Sequence, residues 1–119
     1  MRAGLDYAIT KVPLREDNAN LKEIAKLELT LNSRSNAGLP QTLEGVPRKL
    51  VNKMMRDTAR KLINNNGVIY AAKLKSVIIA YDGEKASGGQ GCFYVADPYK
   101  GNGIGSTLHA RAVISRRMR

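Results

Sequence analysis

The stretch from Cys92 to Arg117 constrains this chain more than any other part. Four β-prone residues, Cys92-Phe93-Tyr94-Val95, lead through Ala96-Asp97-Pro98-Tyr99 into Lys100-Gly101-Asn102-Gly103-Ile104-Gly105, and residues from about 104 to 117 have helical composition. Glycines at alternate positions let a backbone turn tightly and aim successive N–H groups to one side. The following helix adds its unpaired first-turn donors and the positive end of its dipole, so strand, loop and helix together make a seat for phosphate. A phosphate-bearing ligand is therefore a firmer expectation than any reaction.

The rest of the chain alternates element types. Residues 7–14 alternate weakly and read as a first strand. Asp17 or Asn18 can cap a helix reaching about Thr30, with Leu21, Ile24, Ala25, Leu27 and Glu28 at helical spacing. Residues 32–40, rich in Ser, Asn and Gly, read as a loop. Pro47 suits the first turn of a second helix to about Asn64, whose apolar stripe is Leu50, Val51, Met54, Met55, Ala59, Leu62 and Ile63. Asn64-Asn65-Asn66-Gly67 stops it, with Gly67 placed for a left-handed cap.

Residues 68–74 and 76–81 read as strands of a hairpin, Asp82-Gly83 as a turn, and residues 84–91 as a polar loop. No repeat or linker divides residues 1–119, which are expected to form a single domain. The expected fold class is α/β, a mixed and mainly antiparallel sheet flanked by helices, in the order β-α-α-β-β-β-α.

Twenty Lys and Arg against ten Asp and Glu give a formal net charge of +10. Such an excess favours acidic partners: nucleic acid, anionic lipid, an acidic protein or a polyphosphate ligand. The helix over residues 47–64, with Arg48, Lys49, Lys53, Arg56, Arg60 and Lys61, is the natural surface for nucleic acid or an acidic protein. Five Tyr and one Phe do not assemble into an aromatic base-stacking motif, so such binding would be non-specific and salt-dependent. Cys92 is the only cysteine, which excludes an intramolecular disulfide and a cysteine zinc site. No apolar run approaches the roughly 20 residues of a membrane span, and the N-terminus lacks an apolar signal core. A cytoplasmic protein without a membrane partner is expected.

The element order and the glycine loop resemble the N-terminal two-thirds of the GNAT family, the Gcn5-related N-acetyltransferases. The family's acetyl-CoA signature is a hydrophobic strand, a Val-x-Pro-like stretch, then Arg or Gln, two residues, Gly, one residue, and Gly or Ala. Val95 to Gly105 follows it without gaps, with Lys100 where Arg or Gln is usual and the proline one place late, at Pro98. The resemblance implies an acyltransferase moving an acetyl group from acetyl-CoA to an amine acceptor. It also implies that the backbone from Lys100 through Gly101, Asn102, Gly103 and Ile104 to Gly105 seats the CoA pyrophosphate. The backbone of Tyr94, Val95 and Ala96 would then pair with the pantetheine arm as an added strand.

The family normally continues with another strand, another helix and often a tyrosine that protonates the leaving thiolate, whereas this sequence stops at Arg119. A short, C-terminally truncated version is implied, either a minimal form of the fold or one whose sheet a second copy completes. A structural subunit in a larger assembly is a further reading. Against the enzyme stands a non-catalytic basic protein that binds nucleic acid or an acidic partner.

The residues single out no catalytic base. Gln90, Cys92, Glu84 and Asp82 lie near the strand before the glycine loop, and Tyr94 or Tyr99 could serve as an acid. Simpler readings exist for each: Cys92 a small buried hydrophobe, Tyr94 a core residue, Tyr99 a surface residue, and Asp82 and Glu84 parts of a turn. His109, without partners at ligand spacing in the sequence, reads as a helix-surface residue rather than a metal ligand, and no metal is expected.

Overall fold

The computed structural model describes residues 6–37 and 45–117. The first strand, β1 (Ala8–Lys11), stops ahead of Pro13, whose ring removes the N–H a ladder needs. Val12 carries the edge one residue further, donating to Ile69 O at 2.8 Å and burying its side chain. Asn18 opens α1 (Ala19–Ala37), its Oδ1 accepting from the N–H groups of Asn20 and Leu21 at 3.0 and 3.1 Å.

This helix outruns its expected end at Thr30. Residues 32–37, expected as loop, are helical, and residues 38–40 lie outside those described. Ser and Asn disfavour a helix by only a few tenths of a kcal/mol each, which elongation of an established helix overrides.

Pro47 stands just outside α2 (Arg48–Asn65), one place earlier than expected, as its N-cap. The far end departs further from the sequence reading. Gly67 has no left-handed backbone; Asn66 is extended, at φ −127° and ψ 143°, and the chain passes directly into β2 (Val68–Leu74). Asn66 ends the helix through its side chain, Nδ2 donating to Leu62 O at 2.8 Å, while Gly67 N–H donates to Glu84 O at 2.7 Å.

Next come β3 (Val77–Glu84), β4 (Gln90–Val95), a single 3-10 turn (Asp97–Tyr99) and α3 (Ile104–Arg117). The strands lie in the order β1-β2-β3-β4 with every neighbouring pair antiparallel, so the sheet expected as mixed and mainly antiparallel is antiparallel throughout the described residues. The element order is the one the sequence predicts.

The main correction concerns the segment from Asp82 to Gly91. Asp82 and Gly83 are not a turn but the continuation of β3, paired opposite Phe93 and Cys92 of β4. The reversal falls later, where Lys85 N–H donates to Gly89 O at 2.8 Å and Gly88 N–H to Lys85 O at 3.0 Å. Gly83 and Gly91 serve a close approach, because a Cβ on either would stand 2.4 or 2.0 Å from Asn66 Oδ1.

The two faces of the sheet carry different helices. Leu21, Ile24 and Ala25 of α1, with Ala59 and Leu62 of α2, pack on Ile69, Ala71 and Tyr81. On the other face Ile104 and Leu108 of α3 pack on Ala72, Ile79 and Ala80. A register shift beside Ala72 and Lys73 puts both Ile79 and Ala80 under α3. Full burial of Leu21, Ile24, Ile104 and Leu108 stabilises the two layers by about 1.5–3 kcal/mol per side chain. Leu50, expected in the apolar stripe, is 48% exposed in the first turn of α2. Among the described residues no helix is long and apolar enough to cross a membrane.

Candidate active site

Past β4 the chain turns over Asp97–Tyr99 and the glycine loop and returns as α3 on the face opposite α1 and α2. Two positive φ angles make this reversal, +81° at Gly101 and +80° at Gly103, and a Cβ at either would meet nothing within 4 Å. Asn102 Nδ2 braces the loop by donating to Tyr99 O at 3.1 Å. Thr107 N–H makes the first bond of the helix, to Gly103 O at 3.1 Å, so the N–H groups of Ile104, Gly105 and Ser106 precede the helical ladder.

Between this loop, α3 and β4 lies a cleft of about 630 Å3. Gln90, Phe93 and Val95 line its strand side, Tyr99, Lys100, Gly101 and Gly103 its loop end, and Ile104, Gly105, Ser106 and His109 its helix side. The fit at Gly105 is close: a Cβ there would stand 3.0 Å from the tip of the half-exposed Phe93 ring. Lys100 supplies the expected cation at the loop end, although its Nζ already pairs with Asp97 Oδ1 at 2.9 Å on an exposed surface.

Of the residues singled out in the sequence, Val95, Lys100, Gly101, Gly103, Ile104 and Gly105 line this cleft, and Tyr94, Ala96 and Asn102 stand outside its lining. Asn102 turns its amide into the loop, and Tyr94 points its side chain to the opposite layer, against Tyr81. Ala96 N–H donates to Ile79 O at 2.9 Å, and in an antiparallel ladder the residues that bond inward alternate with those that do not. Tyr94 therefore also bonds toward β3, and the outward-facing backbone of β4 belongs to Phe93 and Val95. Among the described residues that edge has no strand beside it.

At the Gln90 end of the cleft stands a cluster that sequence reading placed in a loop. Asp82 and Glu84, two residues apart on β3, point to the same face and are 0% and 2% exposed. Gln90 Nε2 donates to Asp82 Oδ2 at 2.8 Å. His109 Nδ1 lies 3.3 Å from Glu84 Oε2 and 3.6 Å from Asp82 Oδ2, and the three residues place donor atoms within 4.8 Å of one another. His109 is thus on the exposed surface of α3, as expected, but with Nδ1 facing two buried acids. Burial raises the Asp82 carboxyl above its ordinary range, against the opposing pull of Gln90 and His109. A period of two in Tyr81-Asp82-Gly83-Glu84 was the available signal, masked by an Asp-Gly pair that usually marks a turn.

The opposite face of the same strands holds Tyr81, Cys92 and Tyr94, with the Tyr81 and Tyr94 ring centroids 5.5 Å apart. Tyr81 donates its hydroxyl to Glu28 Oε2, which explains why an acidic residue sits in the helical stripe of α1. Burial, then the Glu28 contact, raises the Tyr81 hydroxyl far above its usual range. Burial also pushes up the Cys92 thiol, so it stays protonated and fits the expected role of a small buried hydrophobe.

No protein-family profile matches this sequence, and no curated protein does. Solved structures do match. A protein from Staphylococcus aureus subsp. aureus assigned to the GNAT acetyltransferase family superposes with a TM-score of 0.62 at 17% identity, over 92% of this chain and 91% of its own. A ribosomal-protein-alanine N-acetyltransferase from Brucella melitensis biovar Abortus 2308 gives 0.59 at 16% identity, over 97% and 74%. An assigned acetyltransferase from Clostridium acetobutylicum, solved with acetyl-CoA, gives 0.54 at 20% identity, over 96% and 75%. The chain has the fold of the GNAT acetyltransferases.

Proposed function

We propose that this protein is an acyltransferase that moves an acetyl group from acetyl-CoA to an amine. The observation that carries the reading is the cleft itself: a glycine loop and helix start with free donors at one end, leading onto the open edge of β4. The residues fit such a donor. Backbone N–H groups of Ile104, Gly105 and Ser106, together with the dipole of α3, favour a pyrophosphate at the loop end. The outward backbone of Phe93 and Val95 offers an extended amide chain the hydrogen bonds of an added strand. Acetyl-CoA supplies the activated acyl group, and the three structural neighbours, all described as acetyltransferases, support the class.

Calorimetric titration with acetyl-CoA, desulfo-CoA and ATP, each at moderate and high salt, tests this reading. Saturable binding that prefers the CoA scaffold and survives high salt is expected. Gly103→Glu, which forces a side chain and a negative charge onto a φ of +80°, should abolish it, and Gly105→Glu should do the same by displacing Phe93. Weak binding of all three ligands that disappears with salt would leave only a basic surface, the non-catalytic alternative.

A further inference from the structure

We propose that His109 is the base that takes the proton from the acceptor amine, that Asp82 and Glu84 are the positioning residues that hold its ring, and that the amine enters at the Gln90 end of the cleft. The inference rests on the acyl-transfer reading and adds to it the reacting end of the site.

Direction along the cleft comes first. β4 runs from Gln90 to Val95 toward the glycine loop, and α3 starts at that loop, with Ile104, Gly105, Ser106 and His109 along the cleft's helix side. An extended donor with its phosphates at the start of α3 and its arm on the outer edge of β4 therefore ends toward Gln90. His109 and Gln90 line that end from opposite sides. Of the carboxylates of α1, Glu28 lines a separate depression of about 180 Å3 on the opposite face and is engaged by Tyr81, and Glu23 accepts from Ile78 N–H at 3.0 Å.

The electrostatics give the ring its role. Two carboxylates face Nδ1 at 3.3 and 3.6 Å, and carboxylates accept hydrogen bonds. Such neighbours favour the neutral tautomer that carries its proton on Nδ1 and keeps a lone pair on Nε2, in a ring that lines the cleft. The side chain is 51% exposed, so that lone pair is reachable.

Once protonated, the imidazolium faces two buried carboxyl groups, those of Asp82 and Glu84. Gln90 of β4 is neutral, and Arg111, further along α3, leans over the Tyr70 ring of β2 at 6.0 Å. The step balances without another reactant. Nε2 takes a proton from the amine nitrogen as that nitrogen bonds to the thioester carbonyl carbon. The C–S bond then breaks, the sulfur leaves with the electron pair, and the imidazolium Nε2–H protonates it.

His109 is the only histidine of the chain, so its ring nitrogens can be read by 15N NMR without ambiguity. In the intact protein at neutral pH the neutral ring should carry its proton on Nδ1, and Asp82→Asn with Glu84→Gln should shift the proton toward Nε2. Saturating desulfo-CoA should move the ring signals. CoA thiol release is then followed with acetyl-CoA and three acceptors: water, spermidine and an alanine-headed peptide. His109→Gln should lower kcat by about 10²–10⁴-fold, remove the loss of activity on the acid side of the pH profile, and leave KM for acetyl-CoA within about 3-fold. Glu84→Gln should lower kcat less, by roughly 10-fold, with the acid limb retained.

A neutral ring protonated on Nε2, or His109→Gln with unchanged kcat and pH profile, would overturn the proposal while acyl transfer stands. Failure of acetyl-CoA and desulfo-CoA to bind the wild-type protein would overturn both. Should His109→Gln not fold, the tautomer measured in the wild-type protein still decides.

Discussion

Asp82 carries opposing demands of stability and site geometry. Its carboxyl is 0% exposed and accepts from Gln90 through Oδ2, while Oδ1 has no hydrogen-bond partner among the described residues. Because burial raises its folded pKa above the ordinary 3.8, the folded state binds the proton more tightly than the unfolded chain. Its contribution to stability is therefore full below that value and declines as pH rises toward the elevated one. Asp82→Asn keeps the acceptor for Gln90 and removes the buried charge. We expect it to raise stability at neutral pH by on the order of 1 kcal/mol and to flatten that decline, as read by thermal melts from pH 4 to 8. Equal pH slopes in the two proteins would refute this account. The same substitution withdraws one of the two carboxyl groups facing His109, so stability should rise as the site's organisation falls.

At the scale of elements, the join between α2 and the sheet is the most exacting contact. The Asn66 amide lies flat against β3 and β4, where Gly83 and Gly91 leave it room. Asn66→Ala should lose about 1–2 kcal/mol by uncovering Leu62 O. Gly91→Ala should lose about 1–3 kcal/mol by driving a Cβ into Asn66 Oδ1. Combined, the two should lose less than their sum by about 1 kcal/mol, since the clash disappears with the amide although Asn65 O remains 3.0 Å from the new Cβ. Denaturant melts of the double-mutant cycle measure this, and strict additivity would sink it. The same join shows what local pattern reading can recover. Asn18 as a cap, the buried Leu21, Ile24, Ala59 and Leu62, and the strand–loop–helix over residues 92–117 follow from short-range periodicity and turn chemistry. The Asp82–Glu84 segment does not. Its glycine makes room for Asn66, distant in sequence, and its acids are buried by a helix that begins after the next strand.

Over the whole molecule, the cations of α2 and the cleft fall on different sides. The cations of α2 are exposed on the α1–α2 layer, and only Lys53 and Arg60 of them pair with acids in the described residues, at Asp57 and Glu16. The cleft lies on the α3 layer. If α2 binds duplex DNA, Arg56→Glu with Arg60→Glu should weaken that binding and reduce its salt slope by about 1–2, while affinity for acetyl-CoA stays within about 2-fold. Loss of the exposed Arg60–Glu16 pair should cost at most about 1 kcal/mol. Parallel loss of both affinities would show that the cationic surface and the cleft act as one site. Fluorescence anisotropy for the DNA and calorimetry for acetyl-CoA separate these outcomes.

Every group named in the cleft falls between Asp82 and His109, in a stretch that runs without interruption through the end of β3, all of β4, the glycine loop and the first turns of α3. Its contacts therefore all lie within one continuous segment, the longest of them joining Asp82 to His109. The α1–α2 layer, built from earlier residues, lies across the sheet. Mutational drift could thus remodel that layer while the cleft is inherited intact as one uninterrupted module.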